Sequence, residues 1–87
     1  MQVVKAPVQT SVLQGVQLTK RQVSQTPSTY EISITNSRKR TVVVELKLEG
    51  DIKHDPLIVK EIRPNETIKC DLIEAEDFIV DWSWGEK

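Results

Sequence analysis

The segment from Thr41 to Gly50 restricts the fold of this chain more than any other. Leu46 and Leu48 alternate with Glu45, Lys47 and Glu49 after a run of three valines. A period of two puts one apolar row on one face of an extended strand, whereas a helix needs an apolar spacing of about 3.6. The β-branched residues at the start of the segment hold the backbone extended. A strand of this kind is half in a core and half in water, so it needs partners with the same pattern.

Such partners recur along the chain. Met1 to Leu13 holds Val3, Val4, Val8, Val12 and Leu13, interrupted by Pro7, and reads as an edge strand in two halves or a loosely attached arm over residues 1–14. Gly15 separates it from a strand over 16–23 whose alternation falters near Arg21. Gln25 to Ser28 is a turn around Pro27. Tyr30, Ile32 and Ile34 form the apolar row of a strand over 29–36. The polar run Asn36-Ser37-Arg38-Lys39-Arg40 reads as the loop of a hairpin joining that strand to the next. Residues 50–56 form a longer polar loop, and 57–62 a short strand ended by a turn at Arg63-Pro64-Asn65-Glu66. Residues 67–73 read as a strand with Ile68, Cys70 and Leu72 inward. Glu74 to Asp77 reads as an acidic turn, and the last strand as 78–84, with Phe78, Val80, Trp82 and Trp84 on one face.

Turn signals at this spacing predict a single all-β domain over 1–87, a small antiparallel β-sandwich of six to seven strands. At 87 residues the core is modest, since such a chain buries about 60–65% of its unfolded surface. A charged content of 29% and a net charge of −1, with signs interspersed, give no field that would draw in nucleic acid or an anionic membrane. No apolar run approaches the length of about 18 residues that a spanning helix needs. There is no signal-peptide pattern and a single cysteine, so a cytoplasmic or virion-associated setting is expected ahead of a secreted one.

The stretch TYEISITNSRKRTVVVELKLEG resembles a strand pair of the immunoglobulin-like and fibronectin-like sandwiches, and IRPNETIKCDL resembles the proline-containing turn before one of their late strands. The resemblance implies an immunoglobulin-like arrangement. The antibody marks are absent: there is no cysteine pair, and Ile68 stands where a tyrosine would precede Cys70 by two residues. A shared architecture of this breadth carries no function.

Candidate chemistry is sparse. Trp82 and Trp84 point the same way on a strand, either as the aromatic part of the core or as a platform for a sugar ring; the core reading is preferred because the chain has few other aromatics, with Trp84 partly exposed near the end. His54 beside Asp51, Asp55 and Glu49 is too short a ligand set for zinc or calcium, and Lys53 opposes a cation, so a solvated loop and no metal are expected. Arg38, Lys39 and Arg40 form a basic tip that suits solubility or a contact, and Glu74, Glu76 and Asp77 an acidic one, which would allow head-to-tail attraction between copies. Cys70 reads as a small buried hydrophobe, and Asn65-Glu66-Thr67, although it fits the glycosylation pattern, as a turn. No nucleophile stands near a base in the sequence, and no catalytic residue or cofactor is assigned.

The expectation is therefore a non-enzymatic protein-interaction or structural module, acting through an edge strand or a sheet face, with a protein partner or self-association. Its contacts would include Arg38, Lys39, Arg40 and Trp84. Binding of a carbohydrate or another ligand through Trp82 and Trp84 is the first alternative. An accessory or inhibitory domain touching an enzyme through 36–40, 50–56 and 74–77 is the second.

Overall fold

A computed structural model describes residues 9–52 and 56–87, without the side chains of Gln9, Asp51 and Asp77. Seven strands occupy them: β1 (Gln9–Leu13), β2 (Val16–Gln25), β3 (Ser28–Asn36), β4 (Val42–Ile52), β5 (Leu57–Ile62), β6 (Thr67–Lys69) and β7 (Ile73–Glu86). Every pairing is antiparallel. One sheet runs β1-β2-β3, and the far side of β3 is shared by β6, opposite Ser33–Thr35, and by the first two residues of β7, opposite Thr29 and Tyr30. The other sheet runs β5-β4-β7. The two face each other as a small β-sandwich, and β7 belongs to both.

The alternation seen in the sequence sets the core. Val42, Val44, Leu46 and Leu48 of β4 are buried, and so are Ile32 and Ile34 of β3, Val16 and Leu18 of β2 and Ile58 and Ile62 of β5. Each large side chain buried in this way contributes about 1.5–3 kcal/mol, so these two inner rows carry most of the hydrophobic stabilisation. The β1–β2 connection is the two-residue turn Gln14-Gly15, with φ of 47° and 90°. Consecutive left-handed residues match the twist of a hairpin, which is what a glycine at the second position permits.

Four expectations need correction. Residues 36–40 do not close a hairpin, because β3 and β4 lie in different sheets and share no pairing; the segment is a crossover. The strand expected over 67–73 stops at Lys69, and Leu72 is 57% exposed while Ile73 is fully buried. The inward row therefore breaks between Cys70 and Ile73, where the chain stays on β3's edge but its pairing slips by one residue, from Ser33↔Lys69 to Tyr30↔Ile73. Residues 74–77 are not a turn: Glu74 pairs with Thr29 and Ala75 with Ile52, inside one continuous strand. Glu74 and Glu76 mimic a loop because both are exposed on its wet row. The β4–β7 register shifts between Gly50↔Phe78 and Ile52↔Ala75, with β7 residues 76 and 77 against residue 51 alone, and this changes the parity of β7 from Ile73 and Ala75 inward to Phe78 inward. β4 also continues past Gly50 to Ile52. Pro7 and the rest of the expected arm up to Val8 lie outside the described residues, as do Lys53, His54 and Asp55; of that N-terminal segment, 9–13 is an edge strand.

The crossover is held by Asn36, which has no solvent access. Its Nδ2 donates to the carbonyls of Arg40 (2.8 Å) and Ile62 (3.0 Å), and its Oδ1 accepts the Arg38 N–H (2.9 Å). Its own N–H donates to Glu66 O (3.0 Å), and its carbonyl accepts the Asn65 N–H (2.7 Å). Asn65 itself sits at φ 59°, a left-handed conformation that asparagine tolerates, which supports the turn reading of 65–67.

Asn36→Ala strips the Arg40 and Ile62 carbonyls and the Arg38 N–H of their partner. Urea denaturation should give a loss of about 3 kcal/mol. A loss under about 1 kcal/mol would mean that water takes over the site.

Candidate functional site

Ladder parity decides which side of β7 is available. The Lys87 N–H donates to Thr41 O (3.0 Å), and the pairs Gly85↔Val43, Ser83↔Glu45 and Asp81↔Lys47 continue that register. In an antiparallel ladder a residue's N–H and C=O point to the same side, and the next residue's to the other. The odd-numbered residues of this stretch thus turn their backbone towards β4, and Val80, Trp82 and Trp84 turn theirs towards the opposite edge. Among the described residues no strand pairs with that edge beyond Glu74.

The opposing sheet ends on the same side of the sandwich in β1, which among the described residues pairs only with β2. Between the two edges lies a cleft of about 230 Å³, lined among others by Thr10, Ser11, Leu18, Lys20, Val80 and Trp82. Lys20 follows Val16 and Leu18 on the inner row of β2 and is only 3% exposed. Burying an ammonium group is costly unless it is hydrogen-bonded. Here Nζ donates to the Phe78 carbonyl and lies 4.4 Å from the Phe78 ring centroid and 4.9 Å from that of Tyr30. The two rings meet edge to face at 5.1 Å, and the Tyr30 hydroxyl donates to Glu76 O (3.1 Å). Tyr30 and Lys20 thereby cover the Glu76 and Phe78 carbonyls of β7 in turn. Alternation in 16–23 puts this lysine inward, a signal that its polar character hid.

At the other end of the edge, the basic segment and the last tryptophan come together. The Arg38 guanidinium lies 4.7 Å from the Trp84 ring centroid, while Nη1 donates to Gln14 O (2.8 Å) and Nη2 to Glu86 Oε1 (2.8 Å). This stacked pose leaves its Nε buried with no partner among the described residues. Trp84 Nε1 donates to Leu13 O (2.9 Å), and the Ser37 N–H to Gly15 O (2.9 Å). The crossover, the β1–β2 turn and the end of β7 are thus clasped together. A methyl group at Gly15 would approach Arg38 Cγ to 3.1 Å, in addition to the strain of its backbone.

Of the residues singled out in the sequence, Arg38, Arg40 and Trp84 converge here, and Arg40 Nη1 lies 3.9 Å from Glu86 Oε2. Lys39 is exposed and lines the same basic depression as Arg40. Glu86, Gln14 and Leu13 were not singled out; a partner far away in the chain leaves no local pattern. Trp82 and Trp84 pack partly buried against the core, and Arg38 occupies a face of Trp84. Cys70 is buried and its N–H donates to Ile32 O (2.8 Å). Burial pushes its thiol up, Lys60 pulls it down less, and Asp71 adds to the rise. Among the described residues no three His, Cys, Asp or Glu side chains gather as a metal site.

No protein-family model, curated protein or solved structure matches this chain.

The Arg38 hydrogen bond holds the Glu86 carboxyl below the ordinary glutamate range; desolvation opposes this, and the charges of Arg38 and Arg40 assist it. A lowered carboxyl favours the folded state above the unfolded chain's value, and that contribution disappears as pH falls through the folded one. Arg38→Ala should cost about 1–2 kcal/mol near neutrality and shift tryptophan emission to the red. The stability gap between variant and parent should narrow below the glutamate range. An unchanged emission spectrum would mean that the stack is not populated in solution. For Cys70, alkylation in mildly alkaline buffer should run at least about tenfold slower than in denaturant. Equal rates would place the thiol at the surface.

Proposed function

We propose that this chain is a non-catalytic protein-interaction module with an immunoglobulin-like sandwich, and that it works through the open edge of β7. The partner it accepts is an extended strand with an apolar residue at every second position. One observation carries this reading: Val80, Trp82 and Trp84 turn their backbone groups away from β4, beside a cleft that joins apolar Leu18, Val80 and Trp82 to Thr10 and Ser11 of β1. A strand added there would continue the β5-β4-β7 ladder and lay alternate side chains into the cleft, the mode known as β-augmentation. Main-chain hydrogen bonds give such a contact its affinity, and the cleft gives it specificity.

The chemistry of the edge suits this role. Exposed edges in natural sandwiches are usually blunted by bulges, prolines or charges. Lys20 guards the edge at Phe78, but its reach ends there. The clasp of Arg38 on Trp84 fixes the other end of the strand. The Cys70 thiol, buried and raised, is the opposite of an activated nucleophile.

Displayed random peptides selected on the immobilised protein should converge on sequences of period two. Val80→Pro removes one edge-facing N–H without touching the β4–β7 ladder, and it should abolish their capture. Selection of sequences with no such period, or capture that survives Val80→Pro in a folded variant, would overturn the reading.

A further inference from the structure

Resting on that reading of the edge, we infer that the strand it accepts is β7 of a second copy, paired antiparallel about a two-fold axis. Three observations lead there. The first is length. Among the described residues β1, β5 and β6, the other strands that end a sheet, have five, six and three residues, whereas β7 has 14. Of these described strands β7 offers the longest self-complementary run on both sides of an axis.

The second is register. Lys20 occupies the Phe78 carbonyl, so pairing starts at Val80. An axis at Trp82 sets Val80 opposite Trp84 of the second copy and Trp82 opposite itself. Three residues per copy, each with one N–H and one C=O, then give about six hydrogen bonds between copies. The inner row stays on the cleft side, so the two Trp82 side chains become neighbours.

The third is charge. Glu74 and Glu76 are exposed at the start of β7. Lys39 and Arg40 are exposed beside its end, where Lys87 follows, and these three with Arg38 outnumber Glu86 and Glu61, the carboxylates paired with them there, by two (four against two). The two ends are about 40 Å apart along an extended strand. Antiparallel pairing about a two-fold axis brings the acidic end of each copy beside the basic end of the other, so the complementary contact is made twice. A parallel arrangement would set like charges together. An isologous interface of this kind closes on itself and stops at two copies.

Sedimentation equilibrium on the full chain tests this. A dimer is expected whose dissociation constant rises by about tenfold or more from low to high salt, as screening weakens the two end contacts. Glu74→Lys with Glu76→Lys should give a monomer, and so should Lys39→Glu with Arg40→Glu. Mixing these two variants should restore a dimer, because each mixed contact again joins opposite signs. Amide exchange at Val80, Trp82 and Trp84 should slow in every dimeric sample and in no monomeric one. A parent chain that stays monomeric at millimolar concentration in low salt would overturn the inference, and so would a mixture that stays monomeric. In that event the peptide selection still reads out separately whether the edge accepts a strand at all.

Discussion

The carboxamide of Asn36 is sealed from solvent, and the path of the chain between the two sheets depends on how it is satisfied. A buried amide must find its partners inside the protein or lose free energy comparable to several hydrogen bonds. It finds them on Arg38 and Arg40 of the crossover and on Ile62 at the end of β5, while its own backbone holds the turn after β5. The end of one sheet, the end of the other and the connection between them therefore meet at one side chain. With the crossover fixed there, Arg38 leaves it at the angle that lets its guanidinium lie on Trp84.

The clasp follows from that position. Arg38 joins the β1–β2 turn to the last strand through Gln14 and Glu86, and Trp84 repeats the link through Leu13. These contacts tie the two sheets where no ladder hydrogen bonds run. Lys20 does the same further along, by donating to the Phe78 carbonyl between two aromatic rings. Polar bridges at both ends of the β1–β7 side frame the cleft between them. The edge groups of Val80, Trp82 and Trp84 lie within that frame, which is why the same features that stabilise the sandwich also define the surface we assign to interaction.

Much of the core could be read from the chain. The rows 30/32/34 and 42/44/46/48 are buried as their alternation requires, because a strand's side chains take opposite faces by geometry alone. The limits appear where composition and topology diverge. Glu74 and Glu76 look like a turn, yet they occupy the wet row of a strand that pairs with β3 and then β4. Leu72 looks like a continuation of the row through Ile68 and Cys70, yet the strand has already ended. At the candidate site, Arg38, Lys39, Arg40 and Trp84 were legible as residues of interest. Their convergence with Glu86 and Leu13 was not, since nothing near Trp84 in the chain signals an arginine 46 positions earlier.

By itself the sequence determined the extended backbone and the inward or outward sense of most side chains. These are local consequences of period and residue type. The tertiary structure alone decided that β3 and β4 part company, that β7 serves both sheets, and that no described strand pairs with one side of it beyond Glu74. Periodicity tells which face a residue takes but not which strand lies alongside, and only the closing of the two sheets over a shared interior selects the partners.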